Sequence, residues 1–197
     1  MPAPLPDGER VLWQGHPLAG PLAQQAYGAR WVLGYLLLIA LWRAGAAATE
    51  GGAAAALAVG LPCVVLAVAG WAVMRALAWV QARGSVYTLT DQRVILRVGA
   101  ALPVTYTIPF RCIAAAHLDT RPDGSGTIAL ELTPGFKISA AVLWPHMRPW
   151  HLRHPQPALR CIADAVPVAR LLAETAQARL NEPVVARAPQ GAALAAE

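Results

Sequence analysis

The sequence predicts an α+β protein: a two-helix transmembrane hairpin inserted into an antiparallel β-barrel or sheet, closed by a C-terminal amphipathic helix. Three observations predict it. Residues 51–74 contain 24 consecutive uncharged residues, mostly Ala, Val and Leu, more than the ~20 a helix needs to cross a hydrocarbon core. Residues 86–99 (V-Y-T-L-T-D-Q-R-V-I-L-R-V-G) read as two strands around a polar turn, because apolar side chains recur there with a period of two. Beyond residue 164, apolar positions recur instead at helical spacing.

Composition points the same way. The 197 residues (20.8 kDa) are 56% hydrophobic and only 14% charged, with a mean hydropathy of +0.43, whereas soluble domains carry roughly 25% charged residues. The deficit is local, since Arg10, Arg30, Arg43, Arg75 and Arg83 are the only basic residues before Gly84. A net charge of +5 and a pI near 9.6 would suit nucleic acid. Yet the basic residues are spread singly and are mostly Arg, so an anionic membrane face is the expected partner and nucleic acid is not. Cys63, Cys112 and Cys161 are far apart and odd in number, which indicates neither a disulfide framework nor a zinc knuckle and suits a reducing cytoplasm. Asp7 and Glu9 precede any apolar run, the wrong pattern for a cleavable signal peptide.

In chain order, residues 1–20 are punctuated by Pro and Gly, with one short strand possible over 9–15, where Val11 and Trp13 alternate with Arg10, Leu12 and Gln14. Residues 21–83 form the predicted hairpin. Its first helix, about 27–48, keeps Arg30 and Arg43 near the ends, where guanidinium groups can reach headgroups, with Tyr27, Trp31 and Trp42 as interfacial anchors. A Gly-containing link over 43–52 leads to the second helix, about 51–82, which tolerates Pro62 and is terminated by Gly84. Arg10, Arg30, Arg75 and Arg83 flank the entry and exit, against Arg43 alone at the turn, so both termini are expected in the cytoplasm. The soluble domain is expected over 84–180, with Asp91 bonding its own backbone in the first turn. Further strands are expected at 104–108, 113–120, 127–132 and 136–143, with Asp123-Gly124 marking a hairpin turn. Residues 144–157 hold four prolines, which exclude helix and ladder alike. A helix follows from Asp164 as N-cap, placing Val168, Leu171, Leu172, Thr175 and Ala176 on one face, and residues 181–197 read as a disordered tail.

Chemistry-bearing residues concentrate in the proline-rich loop. His146, His151 and His154 lie beside Trp144 and Trp150, and imidazoles can ligate haem iron or the magnesium of a bacteriochlorophyll. Their spacing fits no structural zinc pattern, no carboxylate completes a site, and Arg148 and Arg153 oppose a cation. Docking of a protein or a lipid headgroup is therefore preferred to pigment binding, and no cofactor is required. Trp144, His146, Arg148, Trp150 and Arg153 are the candidate partner-binding residues, because Arg and Trp dominate interface energetics. No recognisable nucleophile–base pair is present, and Ser85 and Ser125 lie outside any G-x-S-x-G elbow, so an enzyme is not expected.

Several motifs resemble a known family. E-R-V-L-W-Q-G-H-P (9–17) before two apolar helices, Y-T-L-T-D-Q-R-V (87–94), R-V-G (97–99) and I-P-F-R-C-I (108–113) are similar to the bacterial membrane-linked form of the pleckstrin-homology-like fold. In that resemblance the 9–15 strand joins the sheet and the hairpin is an insertion. A-L-P-V-T-Y-T-I-P-F-R (101–111), D-G-S-G-T-I-A-L (123–130), L-W-P-H-M-R-P-W (143–150) and the L-R-C-I-A-D-A run within 157–172 resemble the photosynthetic complex assembly proteins of purple bacteria. The resemblance covers roughly residues 9–176. It implies a non-catalytic inner-membrane factor that binds reaction-centre or light-harvesting subunits, and it leaves room for a homodimer.

Overall fold

A computed structural model describes residues 8–99, 103–135, 138–149, 151 and 153–181. Strand β1 (Val11–Gly15) leads through helix α1 (Ala19–Gln25) into helix α2 (Ala29–Gly84). Strands β2 (Val86–Thr90), β3 (Arg93–Val98) and β4 (Val104–Pro109) then build one antiparallel sheet in the order β1-β2-β3-β4. After a 3₁₀ turn at Phe110–Cys112, β5 (Ile113–Thr120), β6 (Gly126–Leu132) and β7 (Ala158–Ile162) form a second sheet in that order. Helix α3 (Ala140–Leu143) precedes β7, and α4 (Ala165–Asn181) follows it.

The alternation read from the sequence matches burial in the first sheet. Tyr87, Leu89, Val94, Leu96 and Val98 are buried while Thr88, Ile95 and Arg97 are half-buried. Pairing of Gln14 with Thr88 and Gly15 with Tyr87 places β1 beside β2, as the resemblance implied. Ile128, Leu130, Leu159 and Ile162 close the same core from the second sheet, and Val168 and Leu172 of α4 cover it. Burying a Leu or Ile side chain is worth roughly 1.5–3 kcal/mol, so this cluster dominates the stability of the domain. Arg93 and Glu9 fasten the edge: the Arg93 Nε–H reaches Glu9 Oε1 at 2.8 Å, and a second hydrogen bond joins Nη2 to Oε2. That bonding holds the Glu9 carboxyl below its ordinary range.

Four expectations need correction. Among the described residues no ladder joins the two sheets, so the β-structure is not a closed barrel; Pro109 ends β4, and the 3₁₀ turn redirects the chain. The 43–52 link is helical, and α2 is assigned continuously from Ala29 to Gly84, with Gly52 alone in a non-helical conformation (φ 67°, ψ −160°). In the β2–β3 turn the acceptor is Thr90 Oγ1, which takes the N–H groups of Gln92 (3.2 Å) and Arg93 (3.0 Å), whereas Asp91 accepts from the Arg10 N–H at 3.1 Å. Among the described residues the last strand is Ala158–Ile162, residues 140–143 of the strand expected over 136–143 are helical, and 136–137 lie outside the described residues. Asp164 stands at the N-cap position of α4 as expected, its carbonyl accepting the Val168 N–H at 3.5 Å, with a φ of 50° in place of the extended backbone usual there. Residues 182–197 of the expected tail lie outside the described residues.

Gly52 divides α2 into arms of roughly 35 and 48 Å at 1.5 Å per residue. A Cβ on Gly60 would lie 2.9 Å from the Cβ of Ala44, one on Gly70 would lie 3.9 Å from Leu36 Cδ1, and Ala78 clusters with Ala29. These pairings run in opposite directions along the two arms. The helix is long and apolar enough to cross a membrane. Because Gly60 has no room for a side chain, Gly60→Leu should lower stability by about 1–3 kcal/mol through overpacking. Gly34, where a Cβ would meet nothing within 4 Å, should accept Leu without loss; thermal unfolding in detergent micelles compares the two.

Candidate functional site

The proline-rich segment is ordered by backbone bonds from its neighbours. Prolines lack an N–H, so the flanking residues donate: Arg148 N–H to Gln156 O at 2.9 Å and Ala158 N–H to His146 O at 2.9 Å. Pro157 contributes its carbonyl, which accepts from the Leu130 N–H at 2.7 Å, and Met147 bridges Pro157. The segment thus carries one isolated antiparallel bridge, Met147 to Pro157, and no strand among its described residues.

His146 sits at the centre, with no solvent exposure. Its Nδ1 lies 2.6 Å from the Tyr87 hydroxyl and its Nε2 3.0 Å from Ser85 Oγ. The Tyr87 oxygen also accepts the Arg160 N–H at 3.3 Å, so the phenol hydrogen is directed to Nδ1 and Nε2–H to Ser85. Arg160 is buried as well, its Nη1 donating to Pro145 O at 2.9 Å while its Nε has no partner among the described residues. Ser85 ends α2, Tyr87 belongs to β2 and Arg160 to β7, so one polar node joins the helix, both sheets and the loop. Burial, reinforced by the Arg160 guanidinium, pushes the His146 imidazole down from 6.5 to about 4, so it is neutral at physiological pH. Burial also raises the Tyr87 phenol and lowers Arg160.

This geometry corrects the role expected of His146. It is neither an exposed contact residue nor a pigment ligand, since both ring nitrogens are engaged inside the protein. Ser85 and His146 do make a serine–histidine pair, which their separation in the sequence hides. Both are fully buried, so no substrate reaches Oγ, and the pair acts as a fastening. Trp144 is half-exposed and packs edge-on against Tyr27, ring centroids 5.2 Å apart. Arg148 is half-buried, with Nη1 donating to Gln156 Oε1 at 3.2 Å. His151 Nδ1 donates to Pro149 O at 2.8 Å, whereas Arg153 and His154 are exposed. Trp150 lies outside the described residues. The three histidines do not converge, and among the described residues no group of three or more His, Cys, Asp or Glu gathers as a metal site. His117, on β5, instead pairs with Glu131 at 2.9 Å on the surface.

Ser85, Tyr87 and Arg160 are the members of the node that sequence reasoning missed. The available signal was polarity at core positions: Tyr87 shares the buried parity of β2 with Leu89, and Arg160 interrupts an otherwise apolar run.

The fold and its node define a class: a two-sheet α+β module carried on a long apolar helix and locked to it by buried hydrogen bonds. Residues 31–176 match the family described as Bacterial PH domain, and the chain belongs to that family. It is 50% identical over 198 residues to the Rhodobacter capsulatus chain known as the uncharacterized 23.7 kDa protein in the puhA 5′ region, covering 99% of this chain and 92% of that one. A crystal structure of a DUF1696-family protein with a pleckstrin-homology domain from Shewanella loihica is similar over 47% of this chain and 71% of the other, at 16% identity and a TM-score of 0.31.

The node makes stability depend on pH. The folded state depresses the His146 pKa, so the unfolded chain binds the proton more readily between 6.5 and about 4. Stability from this group is complete above pH 6.5 and falls by roughly 3 kcal/mol on acidification to pH 4. His146→Phe should cost about 1–3 kcal/mol at pH 7, by stranding two buried hydroxyls, and should flatten the acid limb. Denaturant titrations at pH 7, 5 and 4 measure both.

Proposed function

We propose that this chain is a non-catalytic integral-membrane assembly factor of the PuhB type. In this reading it holds reaction-centre or light-harvesting subunits by transient contact in the inner, intracytoplasmic membrane of a purple bacterium. The observation that carries the reading is the near full-length likeness to the R. capsulatus protein in the puhA 5′ region. That locus shares its puh designation with the PuhB proteins, which the 143–150 motif resembles.

Physical features support the reading. The outer surface of α2 exposes Trp31 and Trp42 by about three quarters, with Leu41, Leu57 and Leu66 close behind. A water-facing monomer rarely tolerates an apolar surface of that extent, whereas lipid does. Each arm exceeds the ~30 Å of a hydrocarbon core, so the two arms act as a transmembrane hairpin turning at Gly52. Arg30, Arg75 and Arg83 lie away from that turn and Arg43 near it, which favours cytoplasmic termini. Ser85 and Tyr87 are both bonded to the buried His146, which favours a scaffold over a reaction centre of its own. Trp144, Arg153 and the exposed Val142 remain as client-facing groups.

A photo-cross-linker at position 153, in photosynthetically growing cells, should capture a reaction-centre or light-harvesting subunit. Arg153→Glu should weaken that contact by roughly tenfold and lower reaction-centre content at unchanged protein abundance; unchanged capture and content would refute the contact. Alkaline phosphatase fused after Glu50 should be active and the same enzyme fused to the C-terminus inactive. The reverse pattern would overturn the orientation.

A further inference from the structure

Where α2 meets the β-domain, the chain forms a cleft of about 400 Å³ lined by His16, Pro17, Leu18, Trp79, Ala82 and Arg83, with no carboxylate among the described residues of its wall. Two kinds of surface face it. Leu18 and Trp79, 39% and 50% exposed, are apolar, and Trp79 continues the outward surface of α2 through the exposed Ala76, Ala72 and Val68 at i−3, i−7 and i−11. Arg83 supplies a cation, its guanidinium 4.5 Å from the centroid of the Trp79 ring. The arrangement repeats one step along the helix, where Arg75 lies 5.3 Å from the centroid of Trp71. Residues 71, 75, 79 and 83 follow a single i, i+4 ridge, so tryptophan and arginine alternate along it toward the cleft. His16 is held in the wall by the 2.9 Å bond from its Nδ1 to Ser85 O. A carbonyl only accepts, so Nδ1 carries the hydrogen and Nε2 is the ring's remaining polar atom.

We infer that this cleft binds the phosphate headgroup of an anionic phospholipid drawn from the leaflet that α2 enters. The inference rests on the membrane reading above and adds a site to it. Arg83 offers fixed charge and several N–H donors to a phosphate. Trp79 has the apolar body and polar edge that suit headgroup depth, and Leu18 covers the start of an acyl chain. The continuity of the cleft with the apolar face of α2 selects a lipid over a free anion, because only a lipid fills both surfaces at once. The absence of acidic groups in the lining selects an anionic headgroup over a zwitterionic one.

Native mass spectrometry of the full chain in detergent, titrated with phosphatidylglycerol and with phosphatidylcholine of equal acyl length, tests the site. Phosphatidylglycerol should bind about fivefold more tightly, the gain expected of one basic residue at an anionic surface. Arg83→Gln should abolish that preference and Trp79→Ala should weaken retention of both lipids. Arg43→Gln, near the Gly52 turn, should leave the preference intact. Equal preference in wild type and Arg83→Gln, or none in wild type, overturns the inference. Displacement of phosphatidylglycerol by millimolar inorganic phosphate overturns the lipid source, because the site would then be one for free phosphate. Failure of the membrane reading is distinguishable: the chain would stay monodisperse without detergent and bind neither lipid. Melting temperatures of the variants close to wild type verify that they are folded.

Discussion

His146 ties together parts of the chain that are distant in sequence: Ser85 at the end of the long helix, Tyr87 in the first sheet, and the loop that leads into β7 beside Arg160. Each of these groups is buried, and a buried polar group without a partner costs about 1–3 kcal/mol. The node is therefore an all-or-nothing arrangement. Remove one member and the others lose the bonds that make their burial tolerable. That coupling obliges the helix end, both sheets and the proline-rich loop to take up their positions together.

A second junction, beside the first, is apolar. Cys161 adopts φ 52° within β7 and breaks the regular register opposite β6, where Gly126 faces Ile162 but Ile128 faces Leu159. The irregularity leaves Leu159 and Ile162 both on the main core and turns Cys161 toward Leu22 and Ala82. Its carbonyl accepts the Leu18 N–H at 2.8 Å, so α1 is hung from the same strand. Burial raises the Cys161 thiol to about 11, which keeps it an inert packing group. The two junctions explain why α1, too short to announce itself by periodicity, exists at all. Leu18, Leu22 and Ala26 recur every four residues and give it one apolar stripe to place against the last turns of α2.

A domain fastened this firmly to its helix has consequences for function. The surfaces left for partners are those outside the node: the exposed apolar sides of α2, the half-exposed Trp144 on Tyr27, and Arg153 with its exposed neighbours. Trp144 packs on Tyr27, just ahead of α2, so the loop is held near the start of the helix rather than projecting freely. In the assembly-factor reading we propose, a client would meet a surface whose position relative to the helix is set in advance, which lowers the ordering cost of weak, transient contact.

The local elements were legible in the amino-acid sequence because their causes are local. Period-two alternation over 86–98 and 104–108 announces half-buried strands, that over 127–132 announces β6, which is buried on both faces from Gly126 to Leu130, and an uncharged run over 51–74 announces a long apolar helix. What became of residues 140–143, of Ala158–Ile162 and of His146 was not legible. β7 is buried on both faces, so no alternation marks it, and the polar side chains of Arg160 and His146 look like surface groups until their partners arrive from Pro145, Tyr87 and Ser85. Sequence alone determined where the chain is apolar and where it alternates, since those follow from the residues themselves. Tertiary structure alone decided that the histidine expected to meet a partner is locked inside, because hydrogen-bond satisfaction depends on groups about sixty residues away.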